Sequence, residues 1–573
     1  MREVQWSVLV LAAVAAVATA GACSANTLVV GQGGERVTGV EQLPDALAES
    51  DPSLVYDFLE NAVYRPLGSI LNPVRYIREK VEAYNVNSED GVDDGPWFTN
   101  RNGRTPLSLE SIARGANRGP GPDTGGSFTV IRVKLEGITP GYTIRDQTGR
   151  EFLLKFDPVD YAELASAAEV ISARLLYAAG YHVPETFVVE FDPDSLEAAP
   201  GLQIFDETIG HQVLCSDECV AGIIADRNRL PDGRLRALAS RILPNAIGPF
   251  SFEGTRRDDP ADSIPHEHRR ELRGLYVMAA WLSHLDIKQH NSLDVVVEED
   301  GRRFVRHYLI DFGATLGSGS VYPREPRAGV EYDLSYTQIL ARFVSLGAYT
   351  SLWERYKGGM EYPSIGFYSA DLFEPGAWKP TRPNPAFHRK TVRDGYWGAK
   401  LVASFDEDQI RTAVREGRLT NPNAEESLIQ AILARQQATL SYWYRRVTPL
   451  ENLEIVGSRD APTLTFTDLA AGHGLAGGMR RYELDFSFPA GNVEFGQVLR
   501  IALDATGRGE LPLPTAVVSE LFWRDLAERP LKERIARLEI TAVDEGRSTD
   551  RNSVRIYLLP DQHAGYRIVG RAY

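Results

Sequence analysis

His284-Leu285-Asp286-Ile287-Lys288-Gln289-His290-Asn291, followed twenty residues after Asn291 by Asp311-Phe312-Gly313, is the stretch from which the rest of the chain can be read. Between the two motifs lie apolar runs at Leu293 to Val297 and Phe304 to Ile310, separated by the polar Glu298 to Arg302. That pattern predicts a hairpin with Asp311 at its exit. Just upstream, His266 to His284 carries Leu272, Leu275, Ala279 and Leu282 on one helical face, so a helix is expected to end where the first motif begins.

Moving toward the amino terminus, three strands are expected in a meander: Phe128 to Leu135, Tyr142 to Asp146 and Glu151 to Phe156, with turns at 136–141 and Gln147-Thr148-Gly149. The last of these ends Phe152-Leu153-Leu154-Lys155. The segment Tyr161 to Ala179 then repeats Leu164, Ala168, Ile171 and Leu175 at helical steps and stops at Gly180. It carries Glu169 mid-helix and Glu163 near its start. Val183 to Phe191 returns to strand and Leu235 to Phe252 supplies another strand and a connector, with an insertion holding Cys215 and Cys219 between them. Toward the carboxyl end, residues from about 390 to 446 are expected to be helical. After Pro449 an alternation such as Tyr482, Leu484, Phe486 and Phe488 predicts strands.

The order Lys155, Glu169, Asp286, Asn291, Asp311 resembles the protein-kinase superfamily. The loop pattern H-R-D-x-x-x-x-N is matched except that Leu285 replaces the Arg, and the D-F-G triplet is present. The resemblance covers roughly 126 to 446 and implies ATP with Mg2+ (or Mn2+) as cofactors. It implies Asp286 as the residue that orients or deprotonates a hydroxyl, and Lys288 as a neighbour of the transferred phosphoryl group. It further implies Asn291 and Asp311 on the metal, and Lys155 on the α/β-phosphates, fixed by Glu169 or, failing that, Glu163. No G-x-G-x-x-G precedes Lys155, only Gly137-x-x-x-Gly141, and no A-P-E follows the D-F-G. Those departures point to atypical relatives of the HipA-type, phosphatidylinositol-kinase-like and secreted kinase kinds. Gly137 and Gly141 are the residues left to cover a nucleotide.

The ends of the chain address location. Arg2 precedes a Val/Leu/Ala run from Val8 to Ala22, a segment of signal-peptide length. Ala20-Gly21-Ala22-Cys23 resembles the lipobox of bacterial lipoproteins, which implies a lipid on Cys23; simple cleavage after a small residue is the other reading. Either reading sends the chain to the bacterial cell envelope, on a membrane through the lipid or otherwise periplasmic or secreted. No apolar run of 18 or more residues follows residue 25. Cys215 and Cys219, four apart, are expected to form a local disulfide in an oxidising compartment.

Across its 573 residues the chain has 43% apolar and 24% charged residues, the composition of a folded globular protein. A net charge of -16 and a pI near 5.3 disfavour nucleic acid as a partner, because affinity for it comes from neutralising phosphates. His266 and His268, two apart, do not share a helix face and suit a solvated helix start better than a metal site. His473 reads as a loop residue, and Tyr442, Trp443 and Tyr444 as core and rim. The expected fold class is α+β: a two-lobed kinase-like body with a helical and linker extension before it and a β-sandwich-like domain after it. The expected divisions are 1–22 signal peptide, 23–125 tether, helical segment and Gly/Pro-rich wrapping segment, 126–254 amino-terminal lobe, 255–448 carboxy-terminal lobe, and 449–573 β-rich domain. Three functions remain open: phosphoryl transfer to an unknown hydroxyl substrate, a catalytically silent envelope binding or assembly protein, and adenylyl transfer from the same cleft.

Overall fold

The computed structural model describes residues 43, 47–50, 52–64, 66, 80–134, 141–206, 210–491, 493–514, 525–543, 553–561 and 563–573. The signal segment 1–22, Cys23 and Gly137 lie outside the described residues. The chain is a mixed α/β structure with several sheets.

Strands β1 (Phe128–Lys134), β2 (Gly141–Arg145) and β3 (Glu151–Phe156) form the expected meander. They join β4 (Thr186–Phe191), β5 (Leu196–Ala198) and β8 (Leu235–Arg241) in a six-stranded sheet of order β4-β8-β3-β2-β1-β5. The hairpin β6 (Gln203–Asp206) and β7 (His211–Leu214) lies in the insertion, where Cys215 and Cys219 are joined with Cα atoms 5.2 Å apart. Because side chains alternate along a strand, Phe152, Leu154 and Phe156 enter the core under that insertion, with Tyr142, Phe191 and Val220. Lys155 therefore takes the opposite face. That face is covered by the helix Leu164–Ala179, here α1. Asp157 caps it, accepting from the N–H groups of Ala165 and Ser166 at 2.9 and 2.8 Å. Five of its six alanines, at 167, 168, 173, 178 and 179, are buried, which lets the helix pack on the sheet and on the helical part of the molecule at once.

Every residue of α2 (Arg270–Leu282) is buried. It packs on α3 (Val392–Ala403) through facing glycines: a Cβ on Gly398 would lie 2.6 Å from the Gly274 carbonyl oxygen. The sequence expectation of one helical region near 390 to 446 resolves into α3, α4 (Glu407–Arg415) and α5 (Pro422–Tyr444). Capping boxes at Thr391 and Asp406 and the Asn421-Pro422 start mark the breaks.

The expected hairpin after the first motif is β9 (Ser292–Glu299) with β10 (Arg302–Leu309), paired from Arg302 opposite Glu299 to Leu309 opposite Ser292. Asp300 and Gly301 turn it with φ of 51° and 71°, the left-handed pair that a tight hairpin requires.

Past residue 449, β11 (Leu450–Ser458), β12 (Ala461–Asp468) and β15 (Arg508–Pro512) form a three-stranded sheet. Strands β13 (Met479–Phe488), β14 (Val493–Ala502), β16 (Ala536–Val543), β17 (Val554–Asp561) and β18 (Gly565–Ala572) form a five-stranded one. Their buried face belongs to one continuous apolar core with α2, α3 and α5, running from Trp281 and Tyr396 to Tyr482 and Tyr573. Residues 80–120 wrap the molecule: Asn117 bonds Thr186, Asn102 bonds Gln409, and Ser88 accepts from the Arg571 N–H. Of the helical segment expected between the tether and the wrapping segment, the described residues show Leu54–Phe58 followed by a wider turn at Leu59–Tyr64. No helix among the described residues is long and apolar enough to cross a membrane.

Candidate active site

Lys155 brings the sheet, α1 and the hairpin exit together. Its Nζ lies 2.9 Å from Asp311 Oδ1 and 3.3 Å from Glu169 Oε2. Burial alone would lower this ammonium, but Asp311 and Glu169 outweigh it and hold its pKa above the ordinary lysine value. Burial likewise pushes Asp311 upward, yet Lys155, with Lys134 and Lys288 adding to it, brings the carboxyl down to about 2. Glu169 is raised, first by burial; Lys155 and the Phe312 N–H oppose this and the Asp311 charge adds to it.

Asp311 has φ of 62°, a left-handed conformation that Asp tolerates better than most residues. The turn sends its carboxylate back to Lys155 while Phe312 enters the core. Phe312 meets the ring of His284 edge-on at 5.6 Å. His284 is itself buried, its Nδ1 finds no hydrogen bond among the described residues, and burial drops its pKa to about 4.

The loop between is set by alternation as well. Leu285 and Ile287 are buried, so Asp286 and Lys288 turn outward and pair at 2.8 Å. Asn291 Nδ2 donates to the Asp286 carbonyl at 2.6 Å and to its Oδ2 at 3.1 Å. Two backbone bonds tie this loop to the second motif: Ile310 N–H to Asn291 O at 3.0 Å and Leu285 N–H to Ala314 O at 3.3 Å. Lys155, Glu169, Asp286, Lys288, Asn291 and Asp311, taken from the sequence, are thus linked in one constellation. Glu163 is elsewhere, accepting the Thr420 N–H at 3.2 and 3.1 Å. Gly141 opens β2 opposite Lys155, where a Cβ would stand 2.5 Å from the Leu154 carbonyl oxygen.

Among the described residues no group of three or more His, Cys, Asp or Glu is placed to hold a metal ion. The donor set that is present suits Mg2+ nonetheless. Asn291 uses its amide N–H groups on Asp286, so its carbonyl oxygen remains, and Asp311, 38% exposed at its side chain, keeps one oxygen beyond Lys155. One carboxylate and one amide oxygen are what a cation that keeps waters and phosphates as ligands requires.

Sequence reasoning missed two contributors. Lys134, at the end of β1, adds a third positive charge acting on Asp311. The segment 52–61 reaches the loop from far away in sequence: His290 Nε2 bonds the Pro52 carbonyl at 2.8 Å, and a cavity of about 170 Å3 lies between this segment, Lys288 and Arg382.

No protein-family model matches the chain, and no curated protein does. Among solved structures, the proinflammatory kinase CtkA of Helicobacter pylori aligns with a TM-score of 0.29 and 11% identity, over 55% of this chain and 97% of that one. A likeness of that degree bears on neither the fold nor the chemistry.

Proposed function

We propose that the chain is an exported kinase-like phosphotransferase that moves the γ-phosphoryl group of ATP to a hydroxyl-bearing substrate. The observation that carries this reading is Lys155 held between Glu169 and Asp311, with Leu285 and Asn291, on either side of Asp286, tied by backbone bonds to the same turn. In this reading 126–254 and 255–448 are the two lobes of a kinase-like body, and 449–573 accompanies them. A lipid on Cys23 would hold it to a membrane of the bacterial envelope.

Phosphoryl transfer asks little covalent help, so the residues act by position and charge. Lys155, fixed by a buried carboxylate, offers a point charge to the α/β-phosphates, and Lys134 and Lys288 add to the positive field. Asp286 accepts the proton of the attacking hydroxyl as the bond from γ-phosphorus to the leaving ADP oxygen breaks. Lys288, 2.8 Å from Asp286, is placed to follow the phosphoryl group. A bound Mg2+, held by Asn291 and Asp311, would supply charge neutralisation of the phosphates.

Thermal unfolding of the purified chain with ATP and Mg2+ or Mn2+ tests this. At 100 times the dissociation constant, ligand stabilises by about 2.7 kcal/mol. A shift that needs both nucleotide and metal and disappears in Asp311→Asn supports the reading. No shift with any nucleoside triphosphate returns the chain to the class of binding or assembly proteins.

A further inference from the structure

The five-stranded sheet past residue 449 has two edges, and they are not alike. At one, β18 is fastened to the wrapping segment: the Arg571 N–H donates to the Ser88 carbonyl at 3.1 Å and its Nε to the Glu89 carbonyl at 2.7 Å. At the other lies β14, 10 residues long, which among the described residues pairs with no strand but β13. One bond tells which of its backbone groups stay open. The Leu503 N–H donates to the Gly478 carbonyl at 2.7 Å, continuing an unbroken register in which Met479 faces Ala502 and Phe486 faces Phe495. Backbone groups alternate in direction along an antiparallel strand, so Phe495, Gln497 and Leu499 turn theirs to β13, while Glu494, Gly496, Val498 and Arg500 turn theirs away. On that outer side the backbone groups of Glu494, Gly496 and Val498 have no partner among the described residues.

Edges of this length are ordinarily blunted by proline, by lysine or by a charge pointing into the core. None of these occurs here. The core side of β14 carries Phe495, which stacks on Phe486 at 5.3 Å, then Gln497, Leu499 and Ile501. The outer side carries Glu494, Gly496, Arg500 and Val498, the last 54% exposed. Arg500 stands directly opposite Arg481 of β13, a like-charge cross-strand pair, and Arg481 takes Glu483 at 3.2 Å.

We propose that this edge joins two copies of the chain: a second β14 pairs antiparallel with the first about a two-fold axis between the two Gln497 residues, so that the two sheets become one. A two-fold requires the strand to complement its own reverse. About Gln497 it does. Glu494 meets the second copy's Arg500, Phe495 its Leu499, and Gly496 its Val498. Open backbone groups thereby face open backbone groups, as ladder bonds need, and the half-buried Phe495 and Leu499 fall in the closer, non-hydrogen-bonded pairs and cover each other. Each Glu494 also lands at the end of the row formed by Arg500 and Arg481, where it offsets their repulsion. Neighbouring registers lose this match. Centring on Val498 sets Glu494 against Ala502 and Arg500 against Gly496, centring on Gly496 sets Glu494 against Val498, and centring between residues sets open backbone groups against groups already bonded to β13.

Sedimentation velocity and oxidative cross-linking of the purified chain test this. The chain, 63.5 kDa alone, is expected to sediment as a dimer at micromolar concentration. Glu494→Arg and Arg500→Glu each set like charges face to face and should weaken association about tenfold or more, while the two together restore opposite charges and the dimer. Restoration by the double variant separates a lost contact from a lost fold. Gln497→Cys places a thiol at the axis, where facing Cα atoms are about 4.5 Å apart, so mild oxidation should join two chains through it. Ala502→Cys, at the strand end and far from its own copy, should stay unlinked, with the unaltered chain, which keeps Cys23, as the blank. A monomer at every concentration overturns the proposal. A dimer indifferent to both charge reversals, a double variant that folds but does not reassociate, or linking by A502C and not by Q497C overturns it equally.

Discussion

Lys155 faces two carboxylates that would repel each other without it. Replacing it by Met leaves Glu169 and Asp311 uncompensated and is expected to lower the stability of the ligand-free chain by about 2 kcal/mol in urea unfolding. That is less than the roughly 3–5 kcal/mol of a fully buried pair, because the outer face of Asp311 reaches solvent. Adding Glu169→Gln to that variant should recover part of the loss, as a double-mutant cycle would register. His284 gives a pH signature. Its folded pKa of about 4 lies below the unfolded value of about 6.5, so between those values the unfolded chain binds more protons and stability falls as pH drops. Thermal midpoints should decline from pH 6.5 toward 4, with up to about 3 kcal/mol from this residue, and His284→Gln should flatten the slope. Asp311 and His284 were legible because each sits inside a short motif that fixes its neighbours, whereas Glu169 was one of two candidates on its helix, beside Glu163. The approach of segment 52–61 to Arg382 was not legible, since it joins stretches more than 300 residues apart, with no local pattern to announce it.

Single elements repeat this contrast. The hairpin β9–β10 was readable because Asp300-Gly301 sits between two apolar runs. The breaks within 390 to 446 were readable in principle from Thr391 to Asp394 and Asp406 to Gln409, the serial signature of a capping box. Helix α2 is different: its apolar face predicted a helix, yet Arg270 and Arg273 are buried as deeply as its leucines. Asp394 explains them, reaching Arg270 at 2.7 Å and Arg273 at 3.3 Å with all three side chains fully buried. Asp394→Ala strands two guanidinium groups and is expected to cost about 3–5 kcal/mol in urea unfolding. Asp90, from the wrapping segment, also pairs with Arg270 at 3.2 Å, a partner that helical periodicity has no means to reveal.

At the scale of the whole molecule, alternation after Pro449 identified strands but not what their buried face covers. That face meets the helices around Glu451, which takes Lys400 at 2.7 Å, Arg571 at 2.7 Å and the Tyr396 hydroxyl at 2.9 Å. Ending the chain after residue 448 is therefore expected to uncover apolar core and lower the calorimetric midpoint of the remaining body, rather than release it intact; an unchanged midpoint would show that the shared core contributes nothing. The wrapping segment has a further consequence, in time rather than in space. Residues 80–120 are synthesised early and meet Thr186 soon afterwards, but their fastenings on Gln409 and Arg571 are made only later. Until then the wrap is fastened only in part, because contacts so distant in sequence form only after the intervening length exists. For an exported polypeptide, the reading proposed above, a wrap still partly unfastened would be easier to thread through a translocation channel than the finished fold.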